Sequence, residues 1–437
     1  MAEHTRIVVT GMGAITNLGH TAADTWSAMR AGRSGISTIV GEEFRLTPSG
    51  STPAWNWDVT FGGQVKGWDP SSVIEFREAK RIDRFTLLGL AAAIQAVTDS
   101  GIDLAKADLE RCGVITGSGI GGIRTIEEGA TSLYGKGPGR LSPFTVPKLM
   151  PNAASGNISI RFGLRGPAST HATACASSGH AVGDAVHTMR RGEADVMIVG
   201  GAEAAVSPIC LASFAVMKAL STRNDAPTKA SRPFDVDRDG FVLAEGAAMF
   251  VLETEAYARK RGARILAEVV GVANSCDAYH ITAPDPAGSG AARAMRWALR
   301  DARLNPADIG YINAHGTSTP LGDQAEVQAV QALFGDHARK SRGGACMMSS
   351  TKSMHGHCLG ASGAVEMIAC IHAVRDGVIA PTINLDNPGT RDEQGNVTAL
   401  DIDLVAHHAR EKRVKYAMNN TFGFGGHNCS IIVGRYE

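Results

Sequence analysis

The chain has 437 residues with 43 Lys+Arg against 43 Asp+Glu, so its formal net charge is zero, and 44% of its residues are apolar. That is the composition of a globular protein long enough for a sizeable core, and its charge balance excludes a molecule built to neutralise many phosphates. Glycine stands out at 51 residues, well above a typical share of about 7%, whereas aromatics reach only 5%.

In chain order, short apolar runs alternate with longer helical patterns. Strands are expected at 6–10, 112–116, 195–199, 247–252, 266–272, 309–313 and 414–419, and helices at 79–100, 179–191, 289–303, 322–334 and 361–376. Unbroken apolar strands between helices point to an α/β protein with parallel sheets covered on both faces. A charged break at 257–264 divides the chain into halves expected at 1–263 and 264–437, and residues 40–72 form an elaborated loop in the first. No secretory leader is expected, because no charged region, apolar stretch and small-residue site occur in order at the N-terminus. No run of about 18 apolar residues suggests a membrane span. The eight cysteines form no C-x-x-C pair, which leaves buried thiols in a reducing, cytoplasmic setting as the expectation.

Cys175 is the cysteine that the local pattern singles out. Residues 170–174 resemble a strand, small residues follow, and Val182, Ala185, Val186 and Met189 recur at helical spacing. A thiol at a helix N-terminus meets unpaired N–H groups and the positive dipole end, which lower its pKa from about 8.5 towards 7. Two further segments place histidines in glycine-framed strand-end loops, where parallel α/β sheets build their sites: His315 after 309–313, and His355 and His357 beside Lys352. His355-x-His357-Cys358 lacks a fourth ligand at familiar spacing, so no metal centre is expected. Gly-x-Gly-x-x-Gly at 117–122 matches a dinucleotide fingerprint, but no acidic residue ends a second strand about 20 positions on; it reads as close backbone packing. Glycines around Phe424 leave its N–H accessible, as an oxyanion donor or a movable gate requires.

Thr-Ala-Cys-Ala-Ser at 173–177, Asn-Ala-His-Gly-Thr-Ser-Thr at 313–319, Thr-Lys-Ser-Met-x-Gly-His at 351–357 and Phe-Gly-Phe-Gly-Gly at 422–426 resemble the elongating β-ketoacyl-acyl-carrier-protein synthases, most closely those of type II fatty-acid synthesis. The segments 219–225, 231–235 and 238–242 extend the similarity over practically the whole chain, in order. The resemblance implies a thiolase-like, five-layered αβαβα fold of two similar halves, usually a homodimer. It implies a decarboxylating Claisen condensation of an acyl chain with malonyl units, both borne on acyl carrier protein. Cys175 would be the nucleophile, the N–H groups of Cys175 and Phe424 the oxyanion hole, and His315 and His357 the donors to the malonyl thioester. Lys352 would order the site electrostatically beside Glu366. Thr317 and Thr319 would hold the phosphopantetheine arm, and Ile120 and Phe214 would line the acyl pocket. No redox or metal cofactor is implied, although some members hold a structural monovalent cation near residues matching Asn313, Glu366, Asn419 and Asn420.

Carrier protein is acidic, which gives Arg77, Lys80, Arg81 and Arg84 a use as a docking face, with Lys136, Arg140 and Lys218 as further candidates; an ordinary solvated surface with Glu75, Glu78 and Asp83 interleaved is the competing reading. His427 and His355 stand where threonine is common in the family, Lys218 replaces a frequent arginine, and the 40–72 loop is longer than usual. A polyketide ketosynthase would share every catalytic motif. An NAD-dependent oxidoreductase built on 117–122 and a non-catalytic scaffold are the readings from other classes.

Overall fold

The computed structural model describes residues 5–44, 56–392 and 394–437. Eleven strands form one hydrogen-bonded sheet: β1 Ile7–Thr16, β2 Cys112–Gly117, β3 Ala168–His171, β4 Val196–Glu203, β5 Gly246–Thr254, β6 Ala267–Cys276, β7 Ile309–Asn313, β8 Met347–Ser349, β9 Asp403–Leu404, β10 Tyr416–Gly423 and β11 His427–Gly434. Their spatial order is β9-β8-β7-β10-β11-β6-β1-β5-β4-β2-β3. Within β1–β5 the order is third, second, fourth, fifth, first, and β6, β7, β8, β10 and β11 repeat it. The two sets join where β1 and β6 pair antiparallel over only three residues, Ile7–Val9 against Ala267–Val269.

The expected all-parallel sheets are mixed. In each set the fifth strand pairs antiparallel with both its neighbours, the first and the fourth, so parallel pairing is confined to β3-β2-β4 and to β9-β8-β7-β10. Continuous apolar runs reflect burial on both faces, which an antiparallel strand inside a covered sheet shares.

The main helices are α1 Arg84–Ser100, α2 Ile123–Lys136, α3 Ala153–Phe162, α4 Ser177–Arg190, α5 Ser289–Ala302, α6 Pro320–Phe334 and α7 Ser362–Asp376. The expected start of the first at residue 79 moves to Arg84, because Asp83 caps the helix by accepting from Phe85 N and is itself buried. α2 and α3 escape the hydrophobic pattern because small and polar residues fill them. Helices α1 and α3 cover the outer face of one strand set, and α5 and α6 cover that of the other. Between the sets lie α4 and α7. Both are buried on nearly every side, and α7 is buried through Val374, as a helix between two sheets must be. Fully buried Ile368, Ile371 and Met367 each contribute about 1.5–3 kcal/mol of apolar burial. The result is a thiolase-like αβαβα stack.

The central helices meet at their N-terminal ends, where Ala364 N donates to Ser178 Oγ at 3.0 Å. Cys175 precedes one helix and His357 the other, so this meeting brings them together. Of the 40–72 loop, residues 45–55 lie outside the described residues; the remainder includes a turn at Glu42–Phe44 and a two-residue strand, Phe61–Gly62, paired with Ser37–Thr38. Among the described residues no helix is long and apolar enough to cross a membrane. All eight cysteines are free thiols.

Candidate active site

The strand expected over 170–174 stops at His171. Thr173 N is taken by Ser177 Oγ at 2.9 Å, and that hydroxyl donates to Ala174 O at 2.6 Å, a local side-chain competition that ends the ladder. Ala174 is left at φ 49°, and Ser318 and Leu359, which flank the two histidine loops, adopt φ 71° and 44°. Left-handed backbone at non-glycine residues costs energy and gathers at functional sites.

Cys175 lies in the wall of a cavity of about 480 Å³ lined also by His315 and His357. His357 Nε2 is 3.0 Å from Cys175 Sγ, and its Nδ1 is 2.8 Å from Ser362 Oγ, a hydroxyl that serves either imidazole tautomer. The His315 ring stands edge-on to that of His357, with centroids 5.4 Å apart. One ligating atom from each of Cys175, His315 and His357 falls within 4.8 Å of the others. The His355-x-His357-Cys358 triplet does not converge: His355 Nε2 turns to Thr351 Oγ1 at 3.1 Å.

The expected low thiol pKa is reversed. Burial pushes the Cys175 thiol up to about 12, against the opposing pull of Lys352's charge and of the N–H groups of Phe424 and Cys175 itself. Desolvation outweighs the helix N-terminus here because the sulfur is enclosed. Burial, reinforced by Lys352, holds His315 and His357 well below the usual imidazole range, so both are neutral. A neutral thiol therefore faces neutral imidazoles, with two backbone N–H groups aimed at the sulfur.

Lys352 pairs with Glu366, and both side chains are buried. Burial raises the Glu366 carboxyl to about 7 against the lysine's charge. Its other oxygen, Oε2, has no hydrogen-bond partner among the described residues, nor do Asn313 Oδ1 and Asn419 Oδ1. Asn313 and Asn419 are register partners on adjacent parallel strands, and Asn419 Nδ2 donates to Gly363 O at the start of α7. Three orphaned oxygens of this kind fit a hard monovalent cation. Asn420 does not belong with them: it points through the opposite face of β10 to Glu326 Oε1 at 3.3 Å, and its Oδ1 accepts from Ser430.

Phe424 heads the three-residue turn between β10 and β11, closed by Gly425 and Gly426 at φ 84° and 75°. The turn presses on the nucleophile: a Cβ on Gly423 would lie 2.7 Å from Thr173 O. Thr317 and Thr319, whose hydroxyls are 3.0 Å apart, line the cavity together with Ile120, Phe214 and Phe424. Lys218 belongs to this lining too, with its side chain largely in solvent.

Arg77, Lys80, Arg81 and Arg140 are exposed and form no ion pair among the described residues. Arg81 lies over the Phe144 ring at 5.1 Å, which brings the 77–81 segment beside the 140–144 segment. Arg84 departs from this group. It is committed to Glu245 at 2.7 Å, a fully buried carboxylate, and serves the interior. His427 meets the His180 ring edge-on at 6.3 Å.

Glu326 is the functional residue that sequence reasoning missed. Its carboxylate accepts from His315 N at 2.9 Å and Gly316 N at 2.8 Å, fixing the loop that carries the histidine. Its signal was an acid on the buried face of α6 between Ala325 and Val327. Ser362, which orients His357, carried no signal beyond its position ahead of a helix.

The model of the beta-ketoacyl synthase N-terminal domain matches residues 4–258, and that of the C-terminal domain matches residues 266–386. A 3-oxoacyl-[acyl-carrier-protein] synthase 2 from Vibrio cholerae serotype O1 is 48% identical over 98% of this chain and 99% of its own. One from Synechocystis is 44% identical over 100% and 99%. Among solved structures, a type II polyketide ketosynthase, in complex with its acyl-carrier protein and bound to the hexaketide, superposes with a TM-score of 0.86 at 28% identity, covering 100% of both chains. With both domain models matched in order around a buried Cys-His-His cluster, this chain belongs to the beta-ketoacyl synthase family.

Proposed function

We propose that this protein elongates acyl chains by a decarboxylating Claisen condensation between acyl- and malonyl-acyl carrier protein, through an acyl thioester on Cys175. The observation that carries the reading is the cluster itself: one thiol, two neutral imidazoles and two inward N–H groups, with a buried lysine behind them.

In the first half-reaction the Cys175 sulfur attacks the thioester carbonyl and passes its proton to His357 Nε2. The resulting oxyanion accepts from the N–H groups of Cys175 and Phe424; one such donor is worth about 10²–10³ in rate. Collapse expels the pantetheine thiolate, which takes the proton, and leaves acyl-Cys175. In the second half-reaction the malonyl thioester carbonyl accepts from His315 and His357. Loss of CO₂ places the electron pair on that oxygen as an enolate, whose carbon attacks acyl-Cys175; the Cys175 thiolate leaves and takes up a proton from solvent. Neutral imidazoles suit this role, since each donates a hydrogen bond without surrendering its proton. Lys352 supplies a fixed positive charge that keeps them neutral. Thr317 and Thr319 bind the pantetheine arm, and Ile120 and Phe214 shape the acyl pocket.

No organic cofactor enters these steps. A monovalent cation would be held by Asn313, Asn419 and Glu366, where it supplies charge balance beside the Lys352 pair. Arg77, Lys80, Arg81, Arg140 and Lys218 dock the acidic carrier protein; the complexed polyketide ketosynthase supports such a partner. Among the described residues edge strand β3 bonds only to β2, and exposed Ile160 and Val146 lie on neighbouring helical segments, which supports a homodimer closed through this edge. Free thiols throughout support the cytoplasm. The greater identity to fatty-acid synthases than to the polyketide enzyme supports fatty-acid over polyketide substrates.

Intact-mass analysis with acyl-carrier-protein substrates of graded length, followed by malonyl-carrier protein, tests the reading. Wild type loads and then elongates, and Cys175→Ala does not load. An adduct that survives this substitution overturns the assignment.

A further inference from the structure

The glycine-rich segment 117–122 does sit between a strand and a helix, β2 and α2, as a dinucleotide fingerprint would. Its donors, however, are engaged within the protein. Glu203, fully buried at the end of β4, accepts from Ser118 Oγ at 3.0 Å and Ile120 N at 3.3 Å on Oε1, and from Gly119 N at 2.6 Å and Gly360 N at 3.1 Å on Oε2. An internal carboxylate thus fills the nest of N–H groups that would otherwise hold a phosphate. Burial raises its pKa to about 7, opposed by these four bonds.

Three of the donors belong to the turn after β2 and the fourth to the turn after His357. The fit is tight at both glycines: a Cβ on Gly119 would lie 3.0 Å from Glu203 Oε2, and one on Gly360 would clash with Gly119 N at 2.3 Å. Each turn also carries part of the cavity wall, Ile120 on one and Leu359 on the other. Oε2, which accepts from both Gly119 N and Gly360 N, therefore ties these two stretches of the wall together from behind, while Oε1 braces the first of them.

We propose that Glu203 is a positioning residue that clamps the Ile120 turn to the Gly360 turn, fixing the width of the acyl pocket beside Cys175 and the stance of His357. The inference rests on the acyl-transfer reading above. Glu203→Gln replaces one acceptor by an NH₂ group facing N–H or O–H donors, so the walls separate where the acyl chain must thread. Ser118→Ala removes one of the four bonds, together with the bond from Gly121 N to the same hydroxyl.

Both full-length variants are compared with wild type by the rate of adduct formation on Cys175 from carrier-bound acyl chains of graded length, alongside thermal unfolding. The ratio of long-chain to short-chain loading is expected to fall about tenfold in Glu203→Gln and about threefold in Ser118→Ala, with unfolding still cooperative. An unchanged ratio in the folded variants overturns the proposal, and so does an equal fall at every chain length, which general loosening would give. If Glu203→Gln does not fold, the ratio in Ser118→Ala decides alone. Wild type that loads no acyl chain at all overturns the acyl-transfer reading itself, and that result is visible before any substitution is made.

Discussion

The sulfur of Cys175 lies 3.0 Å from Nε2 of His357, although 182 residues separate them in the chain. Both groups are neutral at rest, so the thiol becomes nucleophilic only as its proton is passed on. Alkylation of Cys175 by iodoacetamide is therefore expected to be slow at neutral pH and to keep rising with pH towards about 12, with no plateau near 8.5. A plateau near 8.5 in a pH–rate series would show the thiol to be unperturbed.

His315 and His357 should divide the two half-reactions. His315→Ala is expected to load acyl chains within about threefold of wild type, yet to decarboxylate malonyl-carrier protein about 10²–10³ times more slowly. His357→Ala should impair both steps. Rapid-quench measurement of loading and of CO₂ release separates these outcomes.

Breaking the buried Lys352–Glu366 pair strands a charge. Lys352→Met is expected to cost about 3–5 kcal/mol of stability, and Lys352→Met with Glu366→Gln to recover much of it. Urea denaturation of the single and double variants gives the coupling. The double variant should remain inactive in condensation, since it restores packing without restoring the charge.

His355 predicts an acid-sensitive fold. Burial lowers its pKa from 6.5 to about 3, whereas the unfolded chain takes up the proton near 6.5. Between those values the unfolded state binds more protons, so stability falls as pH drops below 6.5 and levels near 3. His180 and His372, each lowered to about 4 mainly by burial, add to the same slope. Thermal melts from pH 7.5 to 5 should show the decline, and His355→Thr should flatten it.

Charge reversal at Arg77 and Lys80 is expected to raise KM for carrier-protein substrates several-fold while leaving small thioesters unaffected, with the difference shrinking at high salt. Equal effects on both substrate types would refute the docking face. Arg84→Glu should instead destabilise the protein, because its partner Glu245 is buried.

Local sequence determined a good deal. Alternating apolar runs and helical periods located β2, β7, α4 and α7 to within a few residues, since both periods are set by neighbouring side chains. Motif by motif, the sequence also marks Cys175, His315, Lys352, His357 and Phe424. Tertiary structure decided what depends on residues distant in sequence. Desolvation overrode the helix N-terminus at Cys175 because α7 and the turn at Phe424 enclose the sulfur. Strand register turned Asn419 towards α7 and Asn420 towards Glu326 on α6, since successive residues of a strand face opposite sides. Of two similar arginines, Arg81 stayed in solvent while Arg84 met a buried carboxylate 161 residues away. Glycine abundance was plain from the start, but only the fold shows that Glu203 crowds Gly119 and Gly360, where an added Cβ would lie 3.0 and 2.8 Å from its Oε2. Sequence specifies the turns, whereas the fold supplies the atom they must approach.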